Sequence, residues 1–269
     1  MARSKRISIS LVLGSGGARG VAHIGAIQWL TENGYDVRSI AGSSIGALVG
    51  GTFAAGKLDV FTDWLLSFEK MKVLRLLDPT FRRAGLFKGE RIMTELRELV
   101  GDYAIEDLPL AFTAVATDLA MGSEIWLRRG RLFDAIRASI ATPMIFTPFE
   151  HGERTLADGG LVDPVPVAPT VDDATDLTVA VDLLGAAEPA PLPDGGPVPH
   201  GFVDIALSAM EAMQATIARL RLQACAPDVV IEIPRTACAF HEFWRAEELI
   251  ALGRERTARV FAEATSRAA

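Results

Sequence analysis

Ile7-Ser8-Ile9-Ser10-Leu11 alternates apolar and polar positions with period two and runs on through Val12-Leu13, which predicts a strand. A glycine-rich turn, Gly14 to Gly20, follows it. From Val21 to Asn33 the apolar positions Ile24, Ile27 and Leu30 share one helical stripe, closed by Gly34. Val37 to Ala41 predicts a second short strand, and Ile45 to Ala55 a helix of small residues. A strand-helix-strand unit of this kind closes right-handed, with parallel strands. The loops 14–20 and 42–46 then both leave the carboxyl ends of their strands, the edge where open α/β sheets bind ligands.

Further along, helical spacing covers 59–70, 89–100, 202–224 and 244–264, and a short helix from Leu132 to Ala141 stops at Pro143. Leu110 to Thr117 and Glu124 to Arg128 read as strands paired around Met121-Gly122. Arg154 to Ala157 is a strand running into Asp158-Gly159-Gly160, and Leu177 to Leu183 and Val229 to Ile233 are two more. Residues 185–200 are rich in Pro and Gly and predict a mobile loop or lid. Strands and helices alternate throughout, so the expected architecture is a three-layer α/β sandwich with a mostly parallel central sheet, in one domain spanning 1–269.

Composition narrows the function classes. The 269 residues, 49% of them hydrophobic, suffice for a substantial core. No run of about eighteen apolar residues is present, so no membrane span is expected. The basic start leads into a strand rather than a signal-peptide core. Cys225 and Cys238 make no disulfide framework, and His23, His151, His200 and His241 show no ligand spacing, so neither metal nor cofactor is expected. A cytoplasmic location is the default. The net charge of −7 argues against nucleic acid as a partner. Residues 71–88 run against that balance: Lys72, Arg75, Arg82, Arg83 and Lys88 face only Asp78, interleaved with leucines and phenylalanines. Such a mixture suits peripheral contact with anionic lipid at the inner membrane surface. Inward packing of the apolar side chains is the commoner outcome for an amphipathic segment.

The chemistry concentrates at Gly42-Ser43-Ser44-Ile45-Gly46. Gly-x-Ser-x-Gly between a strand and a helix is a nucleophile elbow; without that context it is a chance match in a glycine-rich chain. Gly46, Gly50 and Gly51 disfavour the helix that carries them, which predicts close backbone packing beneath the elbow. Ser44 at the helix N-terminus gains the positive end of the dipole. Gly16, Gly17, Ala18 and Arg19, on the neighbouring strand end, are candidate N–H donors for an oxyanion. Arg19 reads equally as a loop brace, a phosphate attractor or half of a salt bridge. For the base, His200 or His241 fits a Ser-acid-His order formally, but those hydrolases place more strands before the serine. Asp158, at a strand end with Gly159 and Gly160 behind it, is the better candidate, although Asp-Gly-Gly is often a plain turn. Nucleotide binding is disfavoured: Gly51 to Lys57 resembles a P-loop, but Leu58 stands where Ser or Thr must hold magnesium, and Arg19 occupies the third glycine position of a dinucleotide loop.

Taken in order, GSGGARGVAHIG, GSSIGA and LADGGLVDPVPV resemble the patatin-like phospholipases in their bacterial form, and AVATDLAMGSEIWLRRG, LFDAIRASIATPMIFTPF and FWRAEELIALG extend the resemblance over nearly the whole chain. The resemblance implies a Ser-Asp dyad of Ser44 and Asp158, an oxyanion hole at Gly16, Gly17, Ala18 and Arg19, and no metal or cofactor. It implies a serine acyl hydrolase acting on phospholipids, lysophospholipids or related esters. A transacylase using the same residues and a non-catalytic lipid-binding protein are the alternatives. Ser15, Ser43 and Asp163 depart from common family residues without removing a catalytic group. Asp118, Asp134, Arg137 and Ser139 match family positions and read as framework.

Overall fold

The computed structural model describes residues 6–68, 87–188 and 201–268. The expected lid beyond Glu188 and the basic-apolar run up to residue 86 lie outside the described residues. In chain order the elements are β1 (Ser8–Leu13), α1 (Ala22–Glu32), β2 (Asp36–Ser43), α2 (Ile45–Ala54), α3 (Leu58–Leu66), α4 (Glu90–Val100), β3 (Ala111–Asp118), β4 (Ser123–Leu127), α5 (Leu132–Ser139), β5 (Phe149–His151), β6 (Arg154–Asp158), β7 (Leu177–Gly185), α6 (Phe202–Cys225), β8 (Val229–Pro234) and α7 (Ala246–Ala268).

The strands form one mixed sheet ordered β5-β6-β3-β2-β1-β7-β8, with β4 on the other edge of β3. The run β3-β2-β1-β7-β8 is parallel, whereas β4, β5 and β6 are antiparallel to their neighbours. Period two in β1 sends Ile9, Leu11 and Leu13 to one face, into the main core with Ile24, Ile27 and Leu30 of α1 and Leu249 and Phe261 of α7. Val12 faces the other way, against Val165, Val167, Ala180 and Ala218 of α6. Helices therefore cover both faces, and each fully buried aliphatic side chain contributes roughly 1.5–3 kcal/mol.

The polar half of the alternation has a different fate from the one its composition suggests. Ser10 is fully buried and donates to Asp173 (2.9 Å), while Ser39 also donates to Asp173, so hydroxyls satisfied by one carboxylate fasten the 171–176 loop under the sheet. On the main face, α1 and α7 cross at glycines: a Cβ on Gly25 would lie 1.9 Å from the Ile250 carbonyl oxygen. Trp29 stacks on Phe261 beside that crossing, with ring centroids 5.2 Å apart.

Candidate active site

The geometry begins with an exchange of neighbours along β3. Its residues up to Val115 pair with β2, where Val115 lies opposite Ser43. From Ala116 onward β6 pairs antiparallel instead, with Ala116 opposite Asp158. Since β4 fills the other edge of β3 over Ala114 to Asp118, β2 and β6 must share one edge, end to end. Ser44 and Asp158 therefore arrive from opposite directions at the point where one strand gives way to the other.

Ser44 stands at the N-cap of α2 with φ 55° and ψ −123°, a conformation that L-residues rarely adopt. Such strain persists only when the surroundings fix it. The Ser44 N–H donates to Ser139 Oγ (2.8 Å), and its carbonyl accepts from Ala47 (2.9 Å). Beneath the turn, a Cβ on Gly46 would lie 2.0 Å from the Leu13 carbonyl oxygen, and one on Gly50 would press on Ile40. The glycines in α2 thus let the helix sit against β1, as their poor helix propensity predicts.

Ser44 Oγ donates to Asp158 Oδ2 at 2.6 Å, and both residues are buried. Thr142 Oγ1 donates to the same oxygen (2.7 Å), and Oδ1 accepts the Gly160 N–H (2.8 Å). Burial pushes the Asp158 carboxyl above its ordinary range, and the three donors, Ser44, Thr142 and Gly160, offset only part of that rise. Among the described residues no histidine bonds Ser44. The His23 ring is spent on the Gly14 carbonyl (2.9 Å), His151 stacks on Phe149, and His241 is exposed beside Trp244. His200 lies outside the described residues.

The 14–20 loop closes the third side. A Cβ on Gly20 would strike Ile45, and one on Gly160 would strike Ser15 Oγ. Gly17 to Val21 form a 3₁₀ turn, whose first N–H groups have no partner inside it. Ala18 has no donor to offer in this conformation, because its N–H is given to the Phe240 carbonyl (2.9 Å). The Arg19 guanidinium turns away from the serine: it pairs with Glu211 and donates to the Arg235 carbonyl (2.7 Å). Of its three readings, brace and salt bridge describe it. That leaves the backbone N–H groups of Gly16, Gly17 and Arg19 as the loop's candidate donors. Phe240 also covers Gly17, and the sequence reading does not single it out.

Asp118 caps its turn by accepting from Ala120 and Met121, Asp134 pairs with Arg97, and Arg137 donates to the Lys88 and Thr147 carbonyls. These three are framework. Ser139 does more, because it bonds the backbone of the candidate nucleophile. Thr142 lies within the family-like stretch 132–149, but the sequence reading gives it no role. Among the described residues no cluster of three His, Cys, Asp or Glu side chains is arranged to hold a metal, and no helix is long and apolar enough to cross a membrane.

Residues 11–171 match the family model for the patatin-like phospholipases, and the chain belongs to that family. It is 39% identical to an uncharacterized NTE family protein of Mycobacterium tuberculosis, over 91% of this chain and 89% of that protein. It is 31% identical to the lysophospholipase NTE1 of Saccharomyces cerevisiae, over 72% of this chain but 12% of that much longer protein. The crystal structure of VipD from Legionella pneumophila aligns over 97% of this chain and 67% of that one, with a TM-score of 0.49 and 15% identity. Membership makes the chain a lipid hydrolase with the mixed, mostly parallel sheet of its family.

Proposed function

We propose that the chain is a serine acyl hydrolase that cleaves phospholipid or lysophospholipid acyl esters through Ser44 and Asp158. The observation that carries this reading is the 2.6 Å bond from Ser44 Oγ to Asp158 Oδ2, buried at the mouth of a helix N-terminus. Asp158 Oδ2 takes the Ser44 proton as Oγ attacks the ester carbonyl. The N–H groups of Gly16, Gly17 and Arg19 are the donors for the developing oxyanion, and one such donor is worth about 3–4 kcal/mol in the transition state. As the tetrahedral intermediate collapses, Asp158 returns the proton to the departing alcohol, leaving an acyl-Ser44 ester. Water then attacks that ester, giving its proton to Asp158, and release of the fatty acid restores the Ser44 hydroxyl. The name of the yeast relative, a lysophospholipase, supports a lipid ester as substrate.

A fluorophosphonate probe tests the assignment. The adduct is expected on Ser44, and Ser44→Ala should abolish both labelling and fatty-acid release from lysophosphatidylcholine micelles. Labelling that survives in Ser44→Ala would move the nucleophile elsewhere.

A further inference from the structure

Asp158 Oδ2 accepts two hydroxyls, and only one of them belongs to the nucleophile. Thr142 Oγ1 lies 2.7 Å from this oxygen and is almost wholly buried. Its other nearby acceptor, the Ile140 carbonyl, is 3.3 Å away, so the shorter bond to the carboxylate holds the hydroxyl proton. The surrounding backbone keeps the two residues in register: the Asp158 N–H donates to the Ala141 carbonyl (3.0 Å), and Thr117 Oγ1 donates to the Asp158 carbonyl (2.7 Å).

We propose that Thr142 is a positioning residue for the reaction: its hydroxyl orients the Asp158 carboxylate so that Oδ2 faces Ser44, and it shares the negative charge on that oxygen. The inference rests on the reading of Asp158 as the base. Gly160 tethers only Oδ1, which leaves the carboxylate plane free to turn about that contact. The second donor on Oδ2 removes that freedom and leaves one lone pair directed at the Ser44 hydroxyl. A donor to the ionised form also opposes protonation, so Thr142 offsets part of the upward shift that burial imposes on the Asp158 carboxyl. Ser44 alone cannot do this throughout the cycle, because its proton is the one that moves and its oxygen becomes the ester.

The test reads nucleophile activation against pH. Fluorophosphonate inactivation rates of wild type, Thr142→Val, Thr142→Ala and Thr142→Ser would be followed across the acidic limb. Activity needs ionised Asp158, so loss of a donor to the carboxylate moves the limb upward. The hydroxyl-free variants should show a limb about one pH unit higher and a plateau rate about tenfold lower. Thr142→Ser should restore both. Labelling rates are read per folded active site, so a partly unfolded variant loses amplitude without moving its limb, and Ala imposes less bulk than Val. A wild-type limb in both Thr142→Val and Thr142→Ala overturns the inference. Asp158→Asn separates the two layers: labelling retained there removes Asp158 as base, whereas a dead Asp158→Asn with unmoved Thr142 limbs removes only the role of Thr142.

Discussion

Ser139 Oγ lies between two buried backbone groups, accepting the N–H of Ser44 at 2.8 Å and donating to the Val115 carbonyl at 2.5 Å. One hydroxyl thus pins the strained turn that holds the candidate nucleophile to β3, the strand beside which β2 hands over to β6. Ser139→Ala leaves both groups without their partner, which should destabilise the fold by about 1–3 kcal/mol. Ser44 is then free to leave its φ of 55°, so kcat should fall at least tenfold with KM little changed. Thermal melting and steady-state ester hydrolysis check the two effects separately.

The contact between α2 and β1 ranks the glycines of the elbow helix. Gly46→Ala drives a methyl to within 2.0 Å of the Leu13 carbonyl oxygen, where backbone faces backbone, and should cost about 3 kcal/mol or more. At Gly51 the nearest atoms are side-chain ends of Ile136 (3.0 Å) and Leu132 (3.1 Å), which can yield. Alanine also gains about 1 kcal/mol of helix propensity there. Denaturant unfolding of the two variants should show a large loss for Gly46→Ala and a small change for Gly51→Ala.

His23 links acidity to stability. Burial pushes its pKa down from 6.5 to about 4, against the opposing effect of the Gly14 hydrogen bond. The folded protein keeps the ring neutral while the unfolded chain takes up a proton, so the contribution is complete above pH 6.5 and is lost as pH falls toward 4. The window amounts to about 3 kcal/mol. His23→Gln, which can still donate to the Gly14 carbonyl, should flatten the fall of the unfolding midpoint across that range.

Asp163 has the opposite sign. Both its carboxylate oxygens are buried without a hydrogen-bond partner, and Arg221 Nε is 3.9 Å away. Burial, reinforced by the charge of Glu124 and only partly offset by Arg221, pushes its pKa up from 3.8 to about 7. The folded state holds this proton more tightly than the unfolded chain, so stability falls as pH rises from about 4 to 7. Asp163→Asn should therefore melt higher than wild type at pH 8, by roughly 2–4 °C per kcal/mol recovered, and near wild type at pH 4. Melting curves at the two pH values distinguish this window from that of His23.

Much of the molecule was legible in its sequence because the signals are local. Alternation in Ile7 to Leu13, the stripe through Ile24, Ile27 and Leu30, and the strand-Gly-x-Ser-x-Gly-helix order each need only neighbouring residues, and the elements they predict are present. The three-residue β5 was missed, being too short to show a period, and so was the antiparallel branch that β5 and β6 form. What tertiary structure alone decided is which partners meet. The register that sets Ala116 opposite Asp158 one step after Val115 meets Ser43 joins segments more than a hundred residues apart, and no periodicity encodes such a pairing. Thr142, Ser139 and Phe240 acquire their roles in the same way, from what packing places within hydrogen-bond reach. The chain's own order specified the parts of the site, and the closing of the sheet specified their contacts.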